Sequence, residues 1–220
     1  MNITLARKFE LAQLAVLVIW LFQISGIIGI AMGYEAWFLG KTPLNLTIIL
    51  VLFLLRYPID NLKKVVVSAC LFTIGMAVEW IGVHYDFLFG SYHYGDNLGP
   101  KLGGVPWLIG INWMVLTFVS ASILSYFTNN KWLRIPGGSA LMLLLDYFME
   151  FSAPRFGFWF WEDGTAPLRN YIAWFGVALL LHLIYQNSKI KGNALFSVHV
   201  YLSQLVFFMF FYGRHLIWLQ

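Results

Sequence analysis

The chain has little charge and almost no cysteine. Only 11% of its 220 residues are Asp, Glu, Lys or Arg, whereas about 25% is usual in a soluble globular protein. The single cysteine, Cys70, excludes an intramolecular disulfide and a metal site built from cysteines. Apolar residues fill the sequence instead, since 60% are hydrophobic and 19% are aromatic. This composition indicates an integral membrane protein.

The motifs of several cofactor-dependent classes are also missing. All lysines fall in predicted loops or termini, so no buried lysine can form a retinal Schiff base. The five histidines are scattered and do not give the clustered ligands of a membrane di-iron enzyme; a haem between His182 and His199 lacks a spacing signature. There is no P-loop, dinucleotide fingerprint or aspartate-rich diphosphate motif. We therefore expect no cofactor and no metal.

Seven apolar runs predict the fold. Most approach the roughly 20 residues that cross a bilayer as a helix, although the second is short and leaves six spans as an alternative. The sequence predicts an all-α, polytopic transmembrane helix bundle, forming one integral domain over residues 1–220 of a cell (inner) membrane protein. The runs cover residues 11–33, 43–56, 65–84, 105–127, 135–152, 168–186 and 195–213.

The basic residues predict the orientation. Cytoplasmic loops are enriched in Lys and Arg, and nine of the fourteen basic residues lie on the side of the amino terminus. We therefore expect a cytoplasmic amino terminus. The net charge of +4 is explained by contact with anionic lipid headgroups, with no nucleic-acid partner. The nine residues are Arg7, Lys8, Arg56, Lys63, Lys64, Lys131, Arg134, Lys189 and Lys191.

Three acids lie inside predicted spans: Glu79, Asp146 and Glu150. A charge near the centre of a spanning helix costs about 2.5–3.5 kcal/mol, so such acids usually face a cavity, a partner or a reaction. Asp146 and Glu150 are four residues apart and share a helix face, where two negative charges would repel. We expect at least one to be protonated and able to donate a proton. Alternatively, Glu150 pairs with Arg155 or Arg134.

The predicted topology places these acids in the same leaflet as Asn112 and Asn170. On that side the connections 85–105 and 151–167 are rich in glycine and aromatic residues, which predicts lids over a site. The halves 65–127 and 135–186 form a possible internal repeat. In each half an acid precedes an aromatic segment by the same offset, Glu79 before Gly90–Tyr94 and Asp146 before Gly157–Trp161, and a proline, an asparagine and a tryptophan follow.

The tryptophans allow two interpretations. Trp107, Trp132, Trp159 and Trp161 fit an aromatic belt at the membrane interface. Aromatic faces also stabilise cations by up to about 2 kcal/mol when desolvated, and three tryptophans lie near the acids in sequence. These three, which we expect to shield a carbocation if one forms, are Trp80, Trp113 and Trp174.

Two blocks carry a family resemblance. The first begins EWIGVHYDFLFGSYHYG at Glu79 and runs through Pro106 to Asn112 and Trp113. The second contains DYFME from Asp146, then Gly157–Trp161, then PLRNYIAW from Pro167. Together they resemble the CruF-type carotenoid hydratase family of membrane proteins.

The resemblance implies cofactor-free addition of water across the terminal (1,2) double bond of an acyclic carotenoid psi end group, giving a tertiary alcohol. The substrate would be lycopene-like or cyclised at one end and dissolved in membrane lipid. As a hypothesis, Asp146 or Glu150 donates the proton, and Glu79 orients or deprotonates the water. The residues expected to bind water or line the pocket are Asn112, Asn170, Trp80, Trp113, Trp174, Tyr92 and Trp159.

Other functions remain open from sequence. A membrane carotenoid (lycopene) cyclase would use the same first protonation but quench the cation with an internal alkene. A small-molecule transporter would also explain buried acids and a repeat, and a non-catalytic subunit of a pigment-assembly complex is a third alternative. The residues do not rank the three acids, identify the carotenoid or give the oligomeric state.

Overall fold

The computed structural model describes residues 3–57 and 59–218, which form a bundle of helices. Residues 1, 2, 58, 219 and 220 of the predicted domain lie outside this description. The all-α bundle is confirmed. In the described part of the chain the helices are α1 Ile3–Ala31, α2 Glu35–Leu39, α3 Thr42–Arg56, α4 Leu62–Tyr85, α5 Trp107–Phe127, α6 Lys131–Glu150, α7 Leu168–Ser188 and α8 Ala194–Trp218.

Seven of these helices coincide with the predicted apolar runs. Across residues 3–57 and 59–218, five are long and apolar enough to cross a membrane, namely α1, α4, α5, α7 and α8. The chain is therefore a multi-pass membrane protein. Helix α3 has 15 residues, as its short run predicts, and α6 has 20 residues but contains four charged ones. The number of spans and the orientation of the amino terminus stay predictions.

Local sequence sets where the helices around the acids begin. Asn61 caps α4 by accepting a hydrogen bond from the Lys64 amide at 3.1 Å, and Asn130 caps α6 through the Trp132 amide at 3.0 Å. Such caps satisfy backbone donors that would otherwise lack a partner. Pro106 and Pro167 precede α5 and α7, so each of these helices starts where a long connection ends.

Helix α5 is the centre of the bundle. Its side chains from Met114 to Ile123 are buried without interruption, and it packs against α4, α6 and α8. Helix α1, by contrast, leaves a row of large apolar side chains exposed. This row faces lipid in a membrane-spanning chain. Its members include Leu11, Leu14, Leu17, Leu21, Ile24 and Ile28.

The two long connections, residues 85–105 and 151–167, are joined into one cover that we call the lid loops. Strand β1 (Tyr92–Tyr94) pairs antiparallel with β4 (Trp159–Trp161), while β2 (Lys101–Leu102) and β3 (Val105–Pro106) form a hairpin. Alternate strand residues point to opposite faces. The first and third residues of β1 and of β4 are therefore buried on one face of the strand pair. The central residues, His93 and Phe160, stack on each other on the opposite face.

A buried polar cluster links α5, α6 and α7 away from the acids. The His182 Nε2 atom lies 2.9 Å from Ser120 Oγ, and Nδ1 donates to the Ala178 carbonyl at 2.8 Å. Hydrogen bonds between membrane helices average about 0.6 kcal/mol. A Cβ atom at Gly138 would overlap the His182 ring at Nε2, so α6 needs a glycine here to approach the ring.

This contact gives a stability prediction. Gly138→Ala should lower the free energy of unfolding by about 1–3 kcal/mol, the usual cost of overpacking, because the His182 ring must move away from Ser120. Thermal unfolding in detergent measures the change. Gly176→Ala is the matched control, since a Cβ there meets no atom within 4 Å. Equal unfolding temperatures for both variants would show that the helix contact is not tight.

Candidate active site

One cavity of about 500 Å³ holds almost all of the predicted site residues. Its volume is within the range of roughly 300–1,000 Å³ typical of small-molecule sites. The structure brings together nine of the ten residues that the sequence predicts. They are Glu79, Asp146, Glu150, Asn112, Asn170, Trp113, Trp174, Tyr92 and Trp159.

The tenth residue, Trp80, lies elsewhere. Adjacent residues of a helix point about 100° apart, so Trp80 leaves the face of α4 on which Glu79 lies. Its side chain is 40% exposed and stacks on His84 with ring centroids 4.4 Å apart. Trp80 therefore does not line the cavity, and we assign it no part in the site.

Glu79 is held by three donors. Its Oε2 atom accepts from the hydroxyls of Tyr92 at 2.6 Å and Tyr94 at 2.7 Å, and its Oε1 accepts from Trp113 Nε1 at 2.8 Å. Burial, reinforced by the charge of Glu79, raises the pKa of both tyrosines well above the usual value. They therefore remain O–H donors. We call Glu79 with these three partners the Glu79 cage.

Glu150 has a parallel set of partners in the second half. Its Oε2 atom accepts from Trp159 Nε1 at 3.0 Å and Trp161 Nε1 at 2.7 Å, and its Oε1 accepts from Asn170 Nδ2 at 3.2 Å. Tyr94 and Trp161 were not among the predicted site residues. The period of two in a strand would have identified both, because Tyr92 and Trp159 share their faces.

The arginines considered as partners of Glu150 lie in other contacts. Arg155 donates two hydrogen bonds to Glu35, at 3.0 and 2.9 Å. Arg134 donates from Nε to the Thr128 carbonyl at 2.6 Å. The three hydrogen bonds to Glu150 described above come from neutral groups.

Asp146 differs from the other two acids. It is fully buried and lines the cavity, yet it accepts one long hydrogen bond, from Asn170 Nδ2 to Oδ2 at 3.4 Å. Its Oδ1 atom has no hydrogen-bond partner among the described residues. Asn170 thus donates toward both acids of α6, and Asp146 is the least satisfied of the three.

Aromatic side chains form another wall of the cavity. Trp113 and Trp174 stack with ring centroids 3.8 Å apart and an interplanar angle of 22°. Trp107 and Trp132 are exposed, as expected of belt residues, whereas Trp159 and Trp161 are buried donors. The belt interpretation is therefore wrong for Trp159 and Trp161, because the strand pairing turns them into the bundle.

The cavity continues from the acids toward the edge of the bundle. There it is bounded by mainly apolar residues of α1, α2, α3 and α8, including Phe22, Ile49 and Phe207. Two buried glutamines, Gln23 and Gln204, also line it. Sequence reasoning missed both glutamines, although each carries a polar amide within an apolar run.

The described residues contain no group of three His, Cys, Asp or Glu side chains placed to hold a metal ion. What the site does offer is a fully buried acid with an unpartnered oxygen, two hydrogen-bonded carboxyl groups and aromatic walls. This combination can transfer a proton to an apolar molecule and receive one from water.

The fold and this site define a multi-pass membrane protein with a buried acid site. The family model described as carotenoid biosynthesis protein matches residues 40–219, and the chain belongs to this family, as its resemblance to CruF-type hydratases predicts. It is similar to the bisanhydrobacterioruberin hydratase of Haloarcula japonica, with 25% identity over 136 residues, which cover 57% of this chain and 46% of that protein. The chain thus matches less than half of that relative's length. No solved structure matches the chain significantly.

Proposed function

We propose that this protein is a carotenoid hydratase of the cell (inner) membrane. It adds water across the terminal (1,2) double bond of an acyclic psi end group and forms a tertiary alcohol without a cofactor. The observation that carries this proposal is the convergence of three buried carboxyl groups on one largely apolar cavity. Its family, and its similarity to a named hydratase, support the same reaction.

The first step is proton transfer from Asp146. A carboxylate that accepts several hydrogen bonds is stabilised as an anion, which suits Glu79 and Glu150 with three donors each. Asp146 has one long hydrogen bond and a free oxygen on the cavity. We therefore assign the transferable proton to Asp146. Its O–H bond breaks, and a C–H bond forms at the less substituted alkene carbon.

The second step is capture of the tertiary cation by water. The stacked pair of Trp113 and Trp174 lines this largely apolar cavity, and aromatic rings stabilise a positive charge placed beside them. The oxygen of a water molecule held near the asparagines, Asn112 and Asn170, forms the C–O bond, and its released proton passes to Glu79 or Glu150. A later transfer restores the proton on Asp146. One alkene and one water give one alcohol, with no oxidation or reduction.

Substrate enters this site from lipid. A long polyene dissolves in the bilayer, and the cavity extends to α1 and α3, at the edge of the bundle. One end group reaches the acids while the rest of the chain remains among lipid tails.

Expression in bacteria that accumulate lycopene tests the proposal. We expect pigments heavier by one or two waters, and a parallel strain making a carotenoid cyclised at one end should show whether a single acyclic end is sufficient. An isomer of unchanged mass would instead identify a cyclase. Unaltered pigment in both strains, with the protein present in the membrane, would contradict the proposal. Growth in ¹⁸O-labelled water should place the label in the new hydroxyl.

A further inference from the structure

A second cavity, of about 460 Å³, lies directly behind Glu150. We call it the loop-side pocket, because the connection 151–167 supplies most of its wall. Among the described residues, Glu150 and Trp161 line both this pocket and the main cavity. Its other lining residues are Tyr171, small or polar residues of the connection, and four apolar residues, Phe151, Pro154, Phe156 and Phe211.

The two cavities meet different surroundings. The main cavity is bounded mostly by helices at the edge of the bundle and reaches one exposed charged residue, Lys41, whereas the loop-side pocket is bordered by the exposed residues Arg155, Gly164 and Thr165. Exposed irregular backbone is not tolerated in hydrocarbon, because its polar groups need partners. The connection that borders the pocket therefore lies outside the hydrocarbon layer of the membrane, in contact with water.

Hydration needs two reactants with opposite solubilities. An opening toward lipid supplies a hydrocarbon but offers water no favourable path. Glu150 lies between the pocket and the cavity, with Oε2 bound by Trp159 and Trp161 and Oε1 by Asn170. A carboxylate has about four acceptor positions, so Glu150 can bind one further donor, such as water.

We propose that the loop-side pocket is the water entrance of the enzyme and that Glu150 receives the incoming water. This inference rests on the proposed hydratase function. Trp161, like Glu150, borders both the pocket and the main cavity. When the water oxygen bonds to the tertiary cation, its proton passes to Glu150. Asp146 lies one turn away on the same face of α6, so the proton returns over a short distance.

Blocking the pocket with a charged group tests this entrance. In a Cys70→Ala background, which removes the native cysteine, Ala166→Cys places a thiol in the pocket wall. A water-soluble, positively charged methanethiosulfonate reagent should modify it. We expect kcat to fall roughly ten-fold or more with little change in KM for the carotenoid, because the path from lipid is untouched. Reduction of the mixed disulfide should restore turnover.

Asp163→Cys in the same background is the matched control. Asp163 is exposed in the same connection but does not line the pocket, so its modification should leave turnover unchanged. Full turnover by completely modified Ala166→Cys, or failure of the reagent to reach that thiol, would overturn the water entrance. If the unmodified proteins add no water to any carotenoid, the proposed hydratase function fails, and the entrance fails with it.

Discussion

Asp146→Asn is expected to abolish water addition while leaving the protein folded. The amide has nearly the same shape but no acidic proton, and loss of a positioned general acid typically costs about 10²–10⁴-fold in rate. Stability should change little, since Asp146 accepts one long hydrogen bond from Asn170 and its Oδ1 is unpartnered. Product formation in the lycopene strain and thermal unfolding in detergent measure the two effects.

Asp96→Asn makes the same chemical change at the surface. Asp96 pairs with Lys101 at 2.9 Å in a lid loop, and it does not line the cavity, so water addition should continue at the original rate. If Asp146→Asn also retained full activity, Asp146 would not be the proton donor. If Glu150→Gln then lost activity while Asp146→Asn kept it, Glu150 would be the proton donor.

The helices were predictable because bilayer thickness imposes a length on apolar runs. All seven runs correspond to helices, and even the doubtful second run is the 15-residue α3. The short strands of the lid loops were not predicted. Their pairing joins segments almost 70 residues apart, and a strand of three residues leaves too short a pattern to recognise from sequence.

The acids of the site were also predictable, because buried charge in an apolar run is rare. Which of the three acids donates the proton was not predictable. Glu79 and Glu150 differ from Asp146 in the number of their donors, and those donors come from strands and helices whose positions depend on tertiary packing. Trp80 was predicted to line the cavity because it follows Glu79 in sequence. Helix geometry instead turns its side chain away from Glu79, and it stacks on His84.

The internal repeat stays a prediction. The antiparallel pairing of β1 with β4 matches Tyr92 to Trp161 and Tyr94 to Trp159, which is the arrangement that a two-fold relation between equivalent strands would give. In sequence, Asp146 occupies the position equivalent to Glu79. In the structure, the aromatic donors of β4 bind Glu150. Asp146 thus has no aromatic donor of the kind that holds Glu79, which agrees with its proposed role as the proton donor.

Glu79→Gln is expected to lower the stability of the protein strongly. The carboxylate of Glu79 is the acceptor for Tyr92, Tyr94 and Trp113. The amide oxygen can still accept from both tyrosine hydroxyls, but the NH2 group then faces the N–H of Trp113, so two donors meet. Each buried donor left without an acceptor costs about 1–3 kcal/mol. The unfolding temperature in detergent should therefore fall well below that of wild type.

Loss of the Glu79 cage should also loosen the lid loops, because Tyr92 and Tyr94 fasten β1 to α4. Hydrogen exchange at the amides of β1 and β4 should accelerate in Glu79→Gln, and less in Tyr94→Phe, which leaves two donors on the acid. Glu35→Gln is the matched control. Its partner Arg155 lies near the surface, where an ion pair contributes about 0–1 kcal/mol. If Glu79→Gln unfolded and exchanged like Glu35→Gln, the hydrogen bonds to Glu79 would not hold the lid closed, and its role would be confined to the reaction.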